Sequence, residues 1–293
     1  MPLKISKKGT AEFLIFVGPL LVLYILFFIY PLIDGFLYSF TNWNGLSKKI
    51  AVTGIENYVR ALGDTRFTKS IIFTFSYTFL YVILVNVLGL GAAVVMDMKL
   101  RTGNTLKSML FAPYVLNIVT VGFIWQFVFG RLFIGLSETT GLSLFGLSML
   151  GDSKNVLAAL TVVKIWQSLG YFMVIYMAGL KSIPEELLES ASVEGATAWQ
   201  RFFKIKLPLL MPSVTVCIFT ALVNGLRVFE LIMTLTNGGP GTASESMALN
   251  IYNEAYEKGN FGYASAKSII LLAIIAVFTI IQLNFFKKRE VEA

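Results

Sequence analysis

The chain has 293 residues, of which 56% are hydrophobic and only 14% charged, too few polar side chains to cover an ordinary water-soluble domain, which averages about 25% charged residues. The net charge of +7 comes from Lys and Arg that lie between long apolar runs, which is typical of the flanks of membrane spans and not of a nucleic-acid-binding surface. The absence of histidine excludes histidine metal sites and histidine general bases, and a single cysteine excludes an internal disulfide.

Six apolar stretches are long enough to cross a hydrocarbon layer, which takes about 20 residues in a helix. They are residues 13–33, 70–96, 108–130, 156–180, 208–236 and 268–286. Because unpaired backbone groups are costly in lipid and the alternation of a β-barrel is not present, each stretch is predicted to be a helix. We therefore expect an all-α, polytopic protein in which residues 1–293 form a single transmembrane domain.

The basic residues predict the orientation of these spans. If the N-terminus is cytoplasmic, the inner segments hold 13 Lys and Arg in 57 residues, whereas the outer segments hold 9 in 92. Cytoplasmic loops carry the excess of Lys and Arg, so both termini are predicted to lie inside the cell.

The longest predicted cytoplasmic loop, residues 181–207, has a pattern of its own, and we call it the elbow. Ser182 and Glu185 have the spacing of a capping box, which predicts a short helix. Gly195 permits a change of direction before a second short helix, and Pro208 opens the next span. Two interpretations remain open: a docking surface for a soluble partner, or an interfacial helix lying on the lipid headgroups.

The elbow carries a specific motif. Glu189-Ser190-Ala191, then Gly195, then Ile205-x-Leu207-Pro208 resembles the E-A-A…G…I-x-L-P loop of permease subunits of bacterial binding-protein-dependent ABC importers. Related motifs of the carbohydrate-uptake branch follow along the chain at Tyr30-Pro31, Ser39 to Trp43, Gly54 to Tyr58, Pro113, Gly122 to Trp125, Leu235 to Pro240, Ile251-Tyr252 and Gly262 to Ala264. Ser190 and Glu194 depart from the usual Ala and Asp but keep size or charge.

The resemblance implies a type I ABC importer permease fold in a bacterial cell membrane. It also implies a second homologous permease subunit, two ATPase subunits that bind ATP and Mg, an extracellular or periplasmic solute-binding protein and a sugar substrate. The sequence contains no phosphate-binding loop, so this chain is expected to be a non-catalytic subunit with no metal or cofactor of its own.

In that family the elbow docks on the ATPase, which implies that Glu189 contacts a basic ATPase residue and that Gly195 is a hinge. Leu187, Leu188 and Ala191 would form the packing face. The complete expected coupling set is Leu187, Leu188, Glu189, Ser190, Ala191, Glu194, Gly195, Leu207 and Pro208.

Charged residues within spans usually face a cavity or each other. Lys164 lies in the fourth span, and Asn224, Arg227 and Glu230 follow one another at intervals that place them on one face of a continuous helix. We expect this face to line a sugar pathway together with aromatic and amide side chains. The full expected pathway set is Trp125, Gln126, Lys164, Trp166, Gln167, Asn224, Arg227 and Glu230. The competing interpretation is a buried ion pair between Lys164 and Glu230 that only fixes helix packing.

A gradient-driven secondary transporter that uses Glu230 as a proton site is the alternative function. It would account for a carboxylate at membrane depth but not for the elbow. Lys164 and Arg227 also leave a sugar phosphate open as the solute.

Overall fold

A computed structural model describes residues 7–98, 102–141 and 148–287, so the chain ends predicted to be cytoplasmic, 1–6 and 288–293, lie outside the described residues. Throughout these ranges the regular structure is helical, and the β-structure is an isolated antiparallel bridge between Thr41 and Val52. The predicted all-α class is confirmed.

Short π-helical turns join several of the helices. In chain order they are α1 (Lys7–Tyr24), α2 (Tyr30–Tyr38), α3 (Glu56–Gly63), α4 (Thr65–Asp97), α5 (Gly103–Val115), α6 (Ile118–Phe127), α7 (Phe133–Thr140), α8 (Val156–Lys181), α9 (Glu185–Val193), α10 (Ala198–Arg201), α11 (Leu207–Leu209), α12 (Met211–Leu226), α13 (Glu230–Leu235), α14 (Met247–Tyr252) and α15 (Phe261–Lys287). The π-helical turns are Ile25–Ile29, Val128–Leu132, Phe202–Lys206 and Asn253–Glu257.

Within the described ranges, five helical segments are long and apolar enough to cross a membrane, and a bent pair supplies a sixth. The five are Ile15–Tyr38, Thr65–Asp97, Ile118–Thr140, Val156–Lys181 and Phe261–Phe286, and the pair is Ala198–Leu209 with Met211–Leu226, bent by 68°. Up to six spans therefore cross the membrane, as many as the apolar stretches in the sequence.

The third span differs from its predicted position, because a break interrupts residues 108–130. Leu116 is extended, with ψ 138°, and ends α5. Asn117 then begins α6, its Oδ1 accepting a hydrogen bond from Val119 N at 2.9 Å. The asparagine side chain accepts a hydrogen bond from a backbone N–H that has no partner within the first turn of the helix. A new helix therefore starts here, whereas the length of the apolar stretch alone predicts one continuous helix.

The chain divides into two compact units, and the larger one comprises residues 65–250 and 271–293. Its core lies where α4, α8 and α12 pack together, and Cys217 is buried there. Two side-chain hydrogen bonds join α4 to α8: Tyr81 Oη with Ser168 Oγ at 3.0 Å, and Tyr176 Oη to Asn86 Oδ1 at 2.6 Å. Packing and interhelical hydrogen bonds of this kind hold helices together in lipid, where burial of apolar surface supplies little driving force.

The smaller unit comprises residues 1–64 and 251–270 and contains a buried cation. Lys267 is fully buried, with its Nζ 2.9 Å from Asp64 Oδ2 and 3.5 Å from Glu254 Oε2. Burial raises the pKa of Glu254, but hydrogen bonds from Lys258 and Asn260 together with the charge of Lys267 outweigh it and lower the pKa below its ordinary value of 4.5. Ionised Glu254 therefore stabilises this unit fully when the pH is above the ordinary pKa of the side chain. This stabilisation is lost as the pH falls through the lowered pKa of the folded state.

Candidate functional site

The first helix of the elbow is α9, and it begins two residues later than the predicted capping box requires. Ser182 still has helical geometry at the end of α8, so its Oγ donates to Gly179 O at 2.8 Å. Extended Pro184 precedes α9 without any side-chain cap. The predicted Ser182–Glu185 capping box is therefore wrong, because the hydroxyl is used by the preceding helix.

The turn of the elbow is centred on Gly195, which has φ +81°. Its neighbour Ala196 donates its N–H to Ala191 O at 2.9 Å, which closes the end of α9. A capping box then forms at Thr197, whose Oγ1 accepts from Gln200 N while Gln200 Oε1 accepts from Thr197 N. Glycine is favoured here because other residues rarely adopt a positive φ.

The tip of the elbow is open to solvent and combines acidic with apolar groups. Glu189, Ser190 and Glu194 are exposed, and Leu187 is 44% exposed. Val193, which sequence analysis did not include, is 89% exposed. Its exposure at the end of α9, away from half-buried Leu188, was not visible from the motif.

Two members of the expected packing face point partly inward. Leu188 is half-buried against the core that α4, α8 and α12 form, and Ala191 is also half-buried. The solvent-facing apolar surface of the tip therefore consists of Leu187 and Val193.

Both ends of the elbow are anchored in the core of the larger unit. Ile183, before α9, is 6% exposed, and Leu210, after α11, is 1% exposed, and both belong to the same core cluster. Leu207 and Pro208 are half-buried next to Leu210, where the chain bends by 68° into α12. The exposed tip is therefore connected to the packed helices on both sides.

A second site lies at the other end of α12, where polar side chains line a cavity of about 220 Å³. Lys164 of α8, Asn224 of α12 and Glu230 of α13 face it together with Arg227. Ile118, Val228 and Leu231, which sequence analysis did not include, complete the lining.

A break in the helix brings these polar residues together, and not the shared helical face that the sequence predicted. The helix predicted across 208–236 ends at Leu226, and Arg227 to Phe229 form a break before α13 begins at Glu230. The prediction that Asn224, Arg227 and Glu230 share one helical face is therefore wrong. They converge because the chain changes direction between them.

Residues distant in sequence stabilise the break. Ser246 Oγ donates to Val228 O at 2.7 Å, which satisfies a carbonyl that no helix can pair. The segment that carries Ser246 is fixed in turn to α4: Met247 N donates to Thr74 Oγ1 at 2.9 Å, and Arg66 makes a bidentate pair with Glu245 at 2.8 Å for both bonds. The cavity therefore depends on α4 as well as on the helices that line it.

Lys164 is oriented by an amide. Its Nζ donates to Gln167 Oε1 at 3.1 Å, and Gln167 is buried. Lys164 and Glu230 line the same cavity and attract each other electrostatically, but no nitrogen–oxygen contact of 4.0 Å or less joins them in the described structure. The two side chains are therefore coupled across the cavity without the direct contact of a packing ion pair.

The expected aromatic residues do not line this cavity. Trp125 and Trp166 make an edge-to-face contact with centroids 5.5 Å apart, and Trp166 is 37% exposed. Trp125 Nε1 is buried without a hydrogen-bond partner in the described structure. Gln126 is exposed on α6 and lines no part of the cavity. The structure thus brings four of the eight expected pathway residues to the cavity and attaches Gln167 through Lys164.

The chemistry of the cavity is that of hydrogen bonding. It offers a carboxylate, an amide and two cations in a small space, and these groups can bind hydroxyls or an anionic group. Among the residues with described positions, no three His, Cys, Asp or Glu side chains are arranged to hold a metal ion.

Comparison with known proteins identifies relatives along the whole chain. Residues 85–291 match the family described as "Binding-protein-dependent transport system inner membrane component". The chain is 35% identical to the probable starch degradation products transport system permease protein AmyD of Thermoanaerobacterium thermosulfurigenes, covering 99% of this chain and 98% of that protein. It is 28% identical to the sn-glycerol-3-phosphate transport system permease protein UgpA of Brucella abortus, covering 93% of each.

The fold matches that of a bacterial ABC transporter crystallised as an importer of the acidic polysaccharide alginate. The TM-score is 0.83 with 20% identity, over 96% of this chain and 98% of that one. At this identity the likeness concerns the fold, which is that of a type I importer permease. The chain is therefore an integral membrane protein that belongs to the family of binding-protein-dependent transport system inner membrane components, the non-catalytic permease subunits of ABC importers.

Proposed function

We propose that this chain forms half of the translocation pathway of an ATP-driven carbohydrate importer. The other half is a second, homologous permease, and the complex includes two ATPase subunits with ATP and Mg and an extracytoplasmic solute-binding protein. The observation that carries this proposal is the elbow, an exposed tip whose two ends are both anchored in the core of the spans. The domain is one functional unit over residues 1–293, with both termini and the elbow on the cytoplasmic side.

The elbow is the contact with the ATPase. Glu189 and Glu194 are exposed carboxylates suited to a basic partner, and Leu187 and Val193 supply adjacent apolar contact area. Ser190 and Ala191 lie between them, and Gly195 holds the turn with its positive φ. Leu188, Leu207 and Pro208 link this surface to the packed helices.

Transport proceeds by alternating access. ATP binding closes the ATPase pair, and the two elbows move with it. Because Ile183 and Leu210 are fixed in one core, this movement shifts α8 and α12 together and opens the pathway outward. Hydrolysis returns it to the inward state. The ATPase supplies the differential free energy between the two states, since this chain has no site for nucleotide hydrolysis.

The polar cavity contacts the solute. The Asn224 amide can donate hydrogen bonds to sugar hydroxyls and accept them, and the Glu230 carboxylate can accept them. Trp166, which is 37% exposed on α8, offers an aromatic face for stacking. Gln167 orients Lys164 from α8, Trp125 packs against Trp166, and Gln126 is exposed on α6. A carbohydrate is favoured over a sugar phosphate because AmyD, at 35% identity, is named for starch degradation products, whereas UgpA, named for glycerol phosphate, is 28% identical. The family relationship does not support a gradient-driven secondary transporter.

The test is solute-stimulated ATP hydrolysis by the complex reconstituted in lipid vesicles with its ATPase and binding protein. We expect maltodextrins or other oligosaccharides to stimulate hydrolysis, and glycerol 3-phosphate to have no effect. Stimulation by glycerol 3-phosphate alone would overturn the carbohydrate assignment. Uptake by vesicles that contain the permease without any ATPase would overturn the coupling role of the elbow.

A further inference from the structure

A groove of about 700 Å³ lies between the end of α4 and the second half of the elbow. Val87, Gly91 and Val94 form one wall, while Trp199, Phe203 and Leu207 form the other. As far as the described residues define it, the lining contains no carboxylate. Its volume falls in the range of about 300–1,000 Å³ that is typical of ligand pockets.

The groove follows the last third of α4. Its lining runs from Val87 to Val94, and α4 ends at Asp97. At 1.5 Å per residue, Val87 and Val94 are about 10 Å apart along the axis. The hydrocarbon core of a bilayer is about 30 Å thick, so this stretch fits within the depth of one leaflet, where it can contact part of an acyl chain.

The end of the groove near the membrane surface is basic. Arg201 and Lys206 both line it, and Lys206 Nζ lies 3.7 Å from Asp97 Oδ2, which places this cation at the end of the span. Arg201 makes no ion pair with any residue that the structure describes. Trp199 is 73% exposed beside it, a position typical of tryptophan at the level of lipid headgroups.

We propose that this groove binds an anionic phospholipid. One acyl chain lies along α4 against Gly91, and the phosphate is bound by Arg201 and Lys206. Basic pockets beside membrane helices are suited to anionic headgroups. A hydrophobic helix of another protein would fill the apolar walls but would leave Arg201 without a counter-charge, so the lipid is the better occupant. The bound lipid holds the second half of the elbow against the end of α4.

Two substitutions and a matched control test the site in the purified transport complex. Arg201→Gln removes the headgroup contact, and Gly91→Leu fills the groove, since a Cβ at Gly91 meets no atom within 4 Å and the chain itself can accommodate the larger side chain. Lys204→Gln is the control, because Lys204 is exposed on the same turn but does not line the groove.

Phosphatidylglycerol retained through a detergent wash is measured by lipid extraction and native mass spectrometry. We expect Arg201→Gln to lower retention about tenfold, as the loss of a charged hydrogen bond predicts. Gly91→Leu should lower it as well, and Lys204→Gln should leave it unchanged. Equal retention in all variants would overturn the proposal.

Fluorescence of Trp199 provides a second measurement. The contribution of Trp199 is the difference in fluorescence between the wild type and Trp199→Phe. In vesicles, phosphatidylglycerol with brominated acyl chains should quench this contribution. Brominated phosphatidylcholine at the same mole fraction should quench it much less. Equal quenching by both lipids would indicate non-selective contact with the bilayer and would contradict the site. Cross-linking of a Gly91→Cys variant to the second permease subunit, in place of lipid, would show that the groove is a protein interface. Neither measurement depends on which solute the complex transports.

Discussion

The chain turns in the elbow that precedes α12 and again at the break that follows α12, and the two interruptions are built differently. At the elbow, Gly195 and the Thr197–Gln200 capping box form the turn with bonds that span six residues or fewer. At the other end, the break at Arg227 to Phe229 relies on Ser246 and, through its segment, on α4. The first is a local turn exposed to solvent, whereas the second is a tertiary feature inside the packed helices.

This difference suits two different tasks. A part that transmits motion has to keep its shape while its surroundings change, and bonds between near neighbours in sequence achieve this. A pathway has to change when helices move, and a break held by contacts from α4 changes when those contacts shift. Each of the following predictions tests one side of this contrast, from the largest expected effect to the smallest.

Gly195→Asp should abolish transport while the protein remains in the membrane. Aspartate adopts a positive φ with strain, although more readily than most residues. A Cβ at Gly195 meets no atom within 4 Å, so the strain is confined to the turn and the packed helices are retained while a charge is added to the tip. Uptake and the amount of protein in membranes are measured together. Gly141→Asp is the matched control, because Gly141 has φ +68° and equally open surroundings outside the elbow. If uptake persisted in the Gly195 variant, the elbow would not be the ATPase contact.

Glu230→Gln should change solute preference about tenfold, which corresponds to the loss of one hydrogen bond to a charged group. The ratio of kcat/KM for two oligosaccharides gives the preference. Glu257→Gln serves as the control, since Glu257 is exposed and does not line the cavity. Lost expression with an unchanged preference would instead assign Glu230 to packing.

Ser246→Ala should destabilise the break by about 1–3 kcal/mol, because the buried carbonyl of Val228 loses its donor. The measurement is the thermal unfolding midpoint of the solubilised complex. Ser268→Ala is the control, since among the described residues that hydroxyl bonds to Ala264 O within its own helix, at 2.9 Å. Equal small shifts for the two variants would mean that the break does not depend on Ser246.

Thr197→Ala should weaken the elbow locally by about 1 kcal/mol through the loss of a helix cap. Hydrogen exchange of the amides in α10 should become faster, while the global unfolding midpoint stays the same. Thr197→Ser retains the hydroxyl and should exchange like the wild type. A global loss of stability would show that the turn is not a local structure.

The elbow could be predicted from the sequence in most respects, because its features depend on near neighbours. The glycine, the two short helices and the acidic tip follow from residue types at fixed spacing. The capping box was predicted at the wrong pair of residues. Ser182–Glu185 and Thr197–Gln200 both have the required spacing, but the Ser182 hydroxyl bonds to the preceding helix and only the Thr197 hydroxyl caps a new one. Val193 was missed for a related reason: exposure depends on which face of α9 the core covers.

By itself the sequence determined that this chain is helical, crosses the membrane and bears an exposed elbow, because composition, apolar length and local turn chemistry act over a few residues each. Only the tertiary structure decided where α12 ends, which side chains line the polar cavity and which groove stays open beside α4. Those features come from contacts between residues as far apart as Thr74 and Met247, and no pattern within a single segment encodes such a contact.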